Sequence, residues 1–356
     1  MNDFSVKYTL FYFGMLIFSL LINFIFLRFV RTLGIRDMSE TVIRWSDKDR
    51  PSIGGLSFYI AFLLSISAFA IAFGGGESVF NKREVGILFT CTLAFLMGLA
   101  DDAYNTRPVL KSSTQITCGL ILVFSGTSIQ VFELEVLNNF LTIVWVMGIM
   151  NAVNMLDNMD GITGTVSLVI CFTILVCMYL TGQTESIHFI LATGVSASLL
   201  GFLYFNWWPS KMFMGDSGSQ FLGSFLASMG IIFFWDLEPI TTFTPGTSMH
   251  FIIPLLAFIV PIADTTTVVI NRISRGRSPF IGGKDHTTHS LARTGLKDVQ
   301  VAMVIGLICL ISSAFIIFYY MEPRILELWE RSVLILYLLL VFAGLFVITR
   351  LKKQVD

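Results

Sequence analysis

The chain has 356 residues, 55% of them from the AVILMFWYC set and 13% charged, with 23 basic against 24 acidic side chains and a formal net charge of −1. A soluble domain carries about 25% charged residues, so a mean hydropathy of +0.78 excludes a water-facing enzyme. Near-neutral charge also excludes a nucleic-acid partner, which needs a basic stripe against its phosphates.

A spanning helix needs roughly 20 mostly apolar residues. Runs of this kind centre on Leu20, Leu63, Leu93, Leu120, Trp145, Ile170, Ala197, Leu226, Phe258, Leu310 and Leu339. They predict an all-α integral membrane protein of about eleven transmembrane helices, organised as one polytopic membrane domain over residues 1–356. The fourth run is the weakest, since its core from Ile116 to Phe124 is short and Gly119 and Gly126 interrupt it. Lys7 precedes a first run too long for a signal peptide, so that helix is expected to stay in the mature protein. Cys91, Cys118, Cys171, Cys177 and Cys309 all sit inside apolar runs without metal-ligand spacing and read as packing or lipid-facing residues.

An odd number of spans puts the termini on opposite sides. Alternate loops then collect most of the basic residues, from Arg31, Arg36, Arg44, Lys48 and Arg50 through Arg107, Lys111 and Lys211 to the loop Arg272–Lys297 and Arg350, Lys352 and Lys353. The other side keeps Lys7, Lys82, Arg83, Arg324 and Arg331. The positive-inside rule therefore predicts an outside N-terminus and a cytoplasmic C-terminus.

The unusual polar motifs fall on the basic side. Asp101 and Asp102 are adjacent carboxylates closing the third span, a pair that calls for Mg²⁺ or a basic side chain to shield it. Asn151, Asn154, Asp157 and Asp160 recur at three-residue spacing, the first three along one helical face. Capping of the sixth span explains Asp160 alone; oxygen ligands for a hard cation and its phosphate-bearing substrate explain all four. Asn206 precedes a proline turn that leads to Phe213 and to Asp216, the latter flanked by Gly215 and Ser217-Gly218. Phe213 is either a stacking surface for a base or an interfacial aromatic. His286 and His289, beside Lys284 and Arg293, suit a phosphate or a proton-transfer role, with zinc ligation as the alternative. Asp264, inside the ninth span after Pro261, is a functional candidate by its location, and a kink at Pro261 is expected to open a groove there. His188 and His250 lie on the other side and read as structural.

In this order the motifs resemble the bacterial polyprenyl-phosphate N-acetylhexosamine-1-phosphate transferases, the MraY and WecA group of membrane enzymes. The likeness runs from Arg50-Pro-Ser-Ile-Gly54-Gly55 to Arg293. It implies transfer of a sugar 1-phosphate from a UDP-N-acetylhexosamine to undecaprenyl phosphate with release of UMP, in the bacterial inner membrane, with Mg²⁺ (or Mn²⁺) as cofactor and a homodimer as one assembly. By motif, Asp101, Asp102, Lys111, His286 and His289 correspond to catalytic positions, and Asp216 to the metal position. Arg50, Asn151, Asn154, Asp157, Asp160, Asn206, Phe213 and Asp264 are the candidates for substrate binding. Asp101 is the candidate to take a proton from the acceptor phosphate. Thr288 departs from the pattern, which commonly has histidine there. The loop lacks the signature of the muropeptide-specific branch, so the chain resembles the WecA-like branch, whose donors include UDP-GlcNAc. Two other classes compete: a multi-spanning transporter, which would place its polar groups near the midplane, and an intramembrane prenyltransferase with aspartate-rich motifs.

Overall fold

The computed structural model describes residues 3–29, 50–73, 80–237, 248–279, 282–322 and 324–351. The predicted basic residues Arg31, Arg36, Arg44, Lys48, Lys352 and Lys353 lie outside the described residues. Within them the chain forms thirteen α-helices: α1 (Asp3–Phe29), α2 (Gly54–Ala68), α3 (Lys82–Tyr104), α4 (Pro108–Ser125), α5 (Glu135–Leu156), α6 (Ile162–Leu180), α7 (Ile187–Asn206), α8 (Gly215–Gly230), α9 (Met249–Ala257), α10 (Ile259–Ile273), α11 (Thr287–Arg293), α12 (Asp298–Met321) and α13 (Leu328–Arg350). Short π-helical turns, Phe69–Phe73 and Ile231–Trp235, extend α2 and α8.

Among the described residues nine helices are long and apolar enough to cross a membrane, and the bent pair α9–α10 makes a tenth. The eleventh expected span, α4, is a helix of 18 residues, about 27 Å at 1.5 Å per residue, but it is too polar to count by composition. Its glycines do not interrupt it. Gly126 ends the helix at φ 85°, and a Cβ on Gly119 would lie 2.9 Å from the Ile143 backbone, so Gly119 is where α4 meets α5. At the other end from Pro108, Arg83 at the start of α3 donates to the Gly126 carbonyl at 2.9 Å, so α4 runs antiparallel to α3 over its whole length.

Local sequence explains the helix ends. Asn81 and Glu84 form a reciprocal capping box that starts α3; Asn105 closes it in the left-handed region at φ 49°; Pro108 occupies the first turn of α4. α9 and α10 meet at 84°. The break lies at Phe258, one turn before the expected position, because the ring of Pro261 collides with the carbonyl four residues earlier, that of Ala257.

α8 lies at the centre. Over an 18-residue apolar stretch of each, 94% of positions are buried in α8 and its extension, against 17% in α1 and 11% in α13, which form the periphery. α2, α3 and α5 pack around α8, and buried apolar side chains join in one large core with a small satellite of Met15, Ala61 and Ala197. All five cysteines are buried. His250 Nδ1 lies 2.9 Å from the Trp235 carbonyl, and Tyr320 donates to that of Phe233. These contacts fix the end of the bundle away from the polar motifs.

Candidate active site

Close backbone approach at α8 builds the site. A Cβ on Gly98 would sit 2.2 Å from the Asp216 carbonyl, and one on Gly55 2.2 Å from the Gly218 nitrogen, so only glycine allows α2 and α3 to pack so tightly on the first turn of α8. The segment after Arg50 pairs with the approach to α8: Phe213 donates to the Pro51 carbonyl at 3.0 Å, Gly54 to the Phe213 carbonyl at 3.0 Å, and Gly55 to that of Met214 at 2.9 Å. Gly215 then turns the chain at φ 74°. Asp102 accepts from the backbone nitrogens of Asp216 and Ser217, both at 2.9 Å. Its carboxylate thus caps the positive end of α8 and satisfies two otherwise unpaired donors.

The ends of α3, α5 and α10 and the starts of α4 and α8 enclose a cleft of about 490 Å³ at one end of the bundle. Asp101, Asp102, Lys111, Asn151, Asn154, Asp157, Asp160, Phe213, Asp216, His286 and His289 line it. The motifs, separated by up to 188 residues of sequence between Asp101 and His289, therefore share one chamber. Arg50, Asn206 and Asp264 do not line it; each instead holds a residue that does or the loop beside one.

Asp101 is buried, and both its oxygens are engaged. Oδ1 accepts from the Thr106 nitrogen at 2.9 Å and hydroxyl at 2.6 Å, while Oδ2 lies 2.6 Å from Lys111 Nζ. The same Nζ reaches to 3.8 Å from Asp216 Oδ2. Asn154 donates to Asp216 Oδ1 at 2.7 Å and to Ser219 Oγ at 2.8 Å. Asn151 belongs to an amide ladder: it donates to Gln115 Oε1 at 2.7 Å, and Gln115 donates to Gln220 Oε1 at 3.2 Å. Gln115, Gln220 and Thr106 were not singled out by the motifs, since isolated amides and hydroxyls in an apolar run give no spacing signal.

Asp160 does not cap α6, whose N-cap is Gly161. It accepts from Arg50 Nη1 at 3.0 and 3.1 Å and from the Ser210 nitrogen at 2.9 Å. The Arg50 guanidinium in turn lies 5.3 Å from the centre of the Phe213 ring. Buried Asn206 accepts from the Gly161 nitrogen at 3.0 Å and donates to the Met212 carbonyl at 2.8 Å, joining the two turns.

Asp264 is fully buried behind the histidine loop. Oδ2 accepts from His286 Nδ1 at 2.8 Å, and Oδ1 from the Thr287 nitrogen at 2.8 Å and hydroxyl at 2.6 Å. A carboxylate in this position fixes the proton on Nδ1 and leaves Nε2 of neutral His286 as the acceptor. His289 stacks edge-on against His286 with centroids 5.4 Å apart. Burial first, and the adjacent His286 second, push the His289 imidazole down to about 4. Arg272 closes the loop with a two-pronged bond to Asp285 at 2.7 and 2.8 Å and a third to the Pro279 carbonyl at 2.8 Å. That pairing outweighs burial and holds the Asp285 carboxyl below the usual range.

Asp157 ends α5 within the cleft. Burial, followed by the charges of Asp216, Asp102 and Asp160, raises its carboxyl to about 8. Among the described residues no group of three or more His, Cys, Asp or Glu side chains has ligand geometry. Among the described residues His286 and His289 thus lack the further His, Cys, Asp or Glu ligands that a tetrahedral zinc site takes. The donors suit Mg²⁺, which is held by one or two carboxylates and completed by water and substrate phosphates.

Comparison with known proteins agrees with this architecture. Residues 85–234 match the family model described as glycosyl transferase family 4, a block that contains every cleft carboxylate. A probable undecaprenyl-phosphate N-acetylglucosaminyl 1-phosphate transferase of Bacillus subtilis is 30% identical over 276 residues, covering 75% of this chain and 72% of that protein. A decaprenyl-phosphate N-acetylglucosaminephosphotransferase of Mycolicibacterium smegmatis is 26% identical over 310 residues, 78% of this chain and 74% of the relative. A phospho-N-acetylmuramoyl-pentapeptide-transferase of Streptococcus agalactiae reaches 32% over a shorter stretch, 57% of this chain and 65% of the relative. With the ordered motifs gathered in one cleft and this identity sustained over most of both chains, the protein belongs to glycosyl transferase family 4, in the MraY and WecA group.

Proposed function

We propose that the protein transfers N-acetylhexosamine 1-phosphate, specifically GlcNAc 1-phosphate, from a UDP-sugar to undecaprenyl phosphate, releasing UMP, as the first lipid-linked step of cell-envelope polysaccharide synthesis. One observation carries the reading: a chamber holding carboxylates, Lys111 and a carboxylate-oriented histidine opens at one end of an apolar bundle, not at its middle. A lipid phosphate and a water-borne nucleotide sugar can meet only at such a boundary, and a transporter would need its polar groups deeper. The location of Arg107, Lys211, Arg275, Arg277 and Lys297 on loops at the cleft end supports a cytoplasmic cleft in the bacterial inner membrane. With α4 taken as a crossing and α9–α10 as one, the helices alternate through eleven spans.

Phosphoryl transfer requires positioning and neutralised charge more than covalent help. Asp216, with Asp157 beside it, would hold Mg²⁺ or Mn²⁺, and that cation would polarise the transferring phosphate. Lys111, fixed by Asp101, points a second positive charge at the same place. Asp101 thereby serves as the anchor of Lys111, since an oxygen already facing an ammonium is a poor proton acceptor. The acceptor phosphate has a second pKa of about 6 and arrives mostly ionised; His286 Nε2, held ready by Asp264, is the group suited to take any remaining proton. Arg50 and Phe213 form the wall suited to the uracil ring and its neighbouring charge.

Purified protein given UDP-GlcNAc, undecaprenyl phosphate and Mg²⁺ should release UMP in step with lipid-linked sugar phosphate. Absence of UMP, or release that does not need the lipid, would overturn the proposal.

A further inference from the structure

The two walls of the cleft come from different parts of the fold. One carries the carboxylates on α3, on α8 and on the turn after α5. The other is α11 with His286 and His289, and α11 packs on α10, α12 and α13, none of which supplies a carboxylate that lines the cleft. The chemistry needs both walls in register.

We propose that Thr288 and Asn158 form a clamp that sets this register, with both acting as positioning residues. Thr288 is fully buried, and its hydroxyl donates to Asn158 Oδ1 at 2.6 Å. The Asn158 amide nitrogen is committed to the Met155 carbonyl at 2.9 Å, and its backbone nitrogen to the Leu156 carbonyl at 2.8 Å, so the side-chain oxygen has one direction left to face. His289 Nε2 lies 3.4 Å from the Asn158 carbonyl. A carbonyl only accepts, so this contact places the imidazole proton on Nε2. Asn158 is the residue after Asp157. One side chain thus ties the turn that aims a cleft carboxylate to the helix that aims both histidines. Losing the Thr288 hydroxyl leaves a committed oxygen facing an apolar methyl group, and the turn must shift to find another donor. A displacement of about 1 Å between reacting groups costs on the order of a hundredfold in rate.

The clamp rests on the transferase reading, so the wild-type protein is assayed first. Thr288→Val keeps shape and removes the donor; it should lower kcat at least about tenfold while the KM for UDP-GlcNAc stays within about threefold. Thr288→Ser, which restores the donor, should recover kcat to within about threefold of wild type. In a double-mutant cycle, Thr288→Val with Asn158→Ala should be no slower than the slower single variant. If the valine variant does not fold, Asn158→Asp, which keeps an acceptor, should outperform Asn158→Ala. A valine variant within twofold of wild type, a serine variant no better than valine, or multiplying losses in the double variant would each overturn the clamp. An inactive wild type would strike the functional reading instead.

Discussion

Asp216 has one oxygen held by Asn154 and the other 3.8 Å from the Lys111 ammonium, with the Asp101 carboxyl in side-chain contact as well. Asp216→Asn preserves volume and the Asn154 contact geometry but removes the charge that attracts a hard cation. Turnover should fall roughly a hundredfold or more with detergent stability unchanged, and near-normal turnover at ordinary Mg²⁺ would remove Asp216 from the site. His289 makes a different prediction. Its folded-state value, about 4, lies below the ordinary 6.5, so the native state favours the neutral ring. That contribution is complete above pH 6.5 and is lost as pH falls from there through about 4, at a cost of up to about 3 kcal/mol. Thermal unfolding in detergent should therefore weaken between pH 7 and 4.5 in wild type and weaken less in His289→Gln. Parallel declines would show that His289 does not titrate with unfolding.

At the scale of helices, the site depends on how closely α3 and α8 approach. Gly98→Ala would place a Cβ 2.2 Å from the Asp216 carbonyl, and backbone cannot yield as a flexible side chain can. Overpacking of this kind costs about 1–3 kcal/mol and should also displace the α8 turn that Asp102 caps, so activity falls more than melting temperature suggests. Gly148→Ala is the control: nothing lies within 4 Å of the added methyl, and alanine is the better helix former by about 1 kcal/mol. Equal losses in both variants would refute the close-approach argument. Hydropathy made the helices legible because length and apolarity are local properties. Asp101, Asp157 and Asp216 were legible too, since charge in a membrane protein stands out against its background. The Gln115–Gln220 ladder and the bond from Thr288 to Asn158 were not legible. They depend on which helices become neighbours, and a single amide or hydroxyl in an apolar run leaves no pattern. The position of the α9–α10 break lay between these cases: Pro261 announced it, but the steric conflict falls on Ala257 one turn earlier.

For the whole molecule, the direction of each helix decides what the termini do. α3, α5, α7 and α10 end near the cleft, and α4, α6 and α8 begin there. α1 places Tyr8 against Phe189 at the start of α7 and Asn23 against Ser57 at the start of α2, so it enters from the far end. α13 brings Thr349, near its C-terminal end, to Asn271 at the cleft end of α10. The first described turn of α1 and the last described turn of α13 thus lie at opposite ends of the bundle, the arrangement that the proposed eleven crossings need. The native cysteines are all buried, which gives a quiet background for a membrane-impermeant thiol reagent. In intact cells, Glu185→Cys, in the loop between α6 and α7 at the far end, should label at once. On the proposed cytoplasmic orientation, Lys284→Cys, at the cleft, should label only after the membrane is opened, since the positive-inside rule keeps cationic loops on that side. Reversed labelling would put the cleft outside, away from any cytoplasmic nucleotide sugar, and would end the proposed reaction. Labelling of both sites from outside would instead break the alternation of spans between α7 and α11, and with it the assignment of α9–α10 as a single bent crossing.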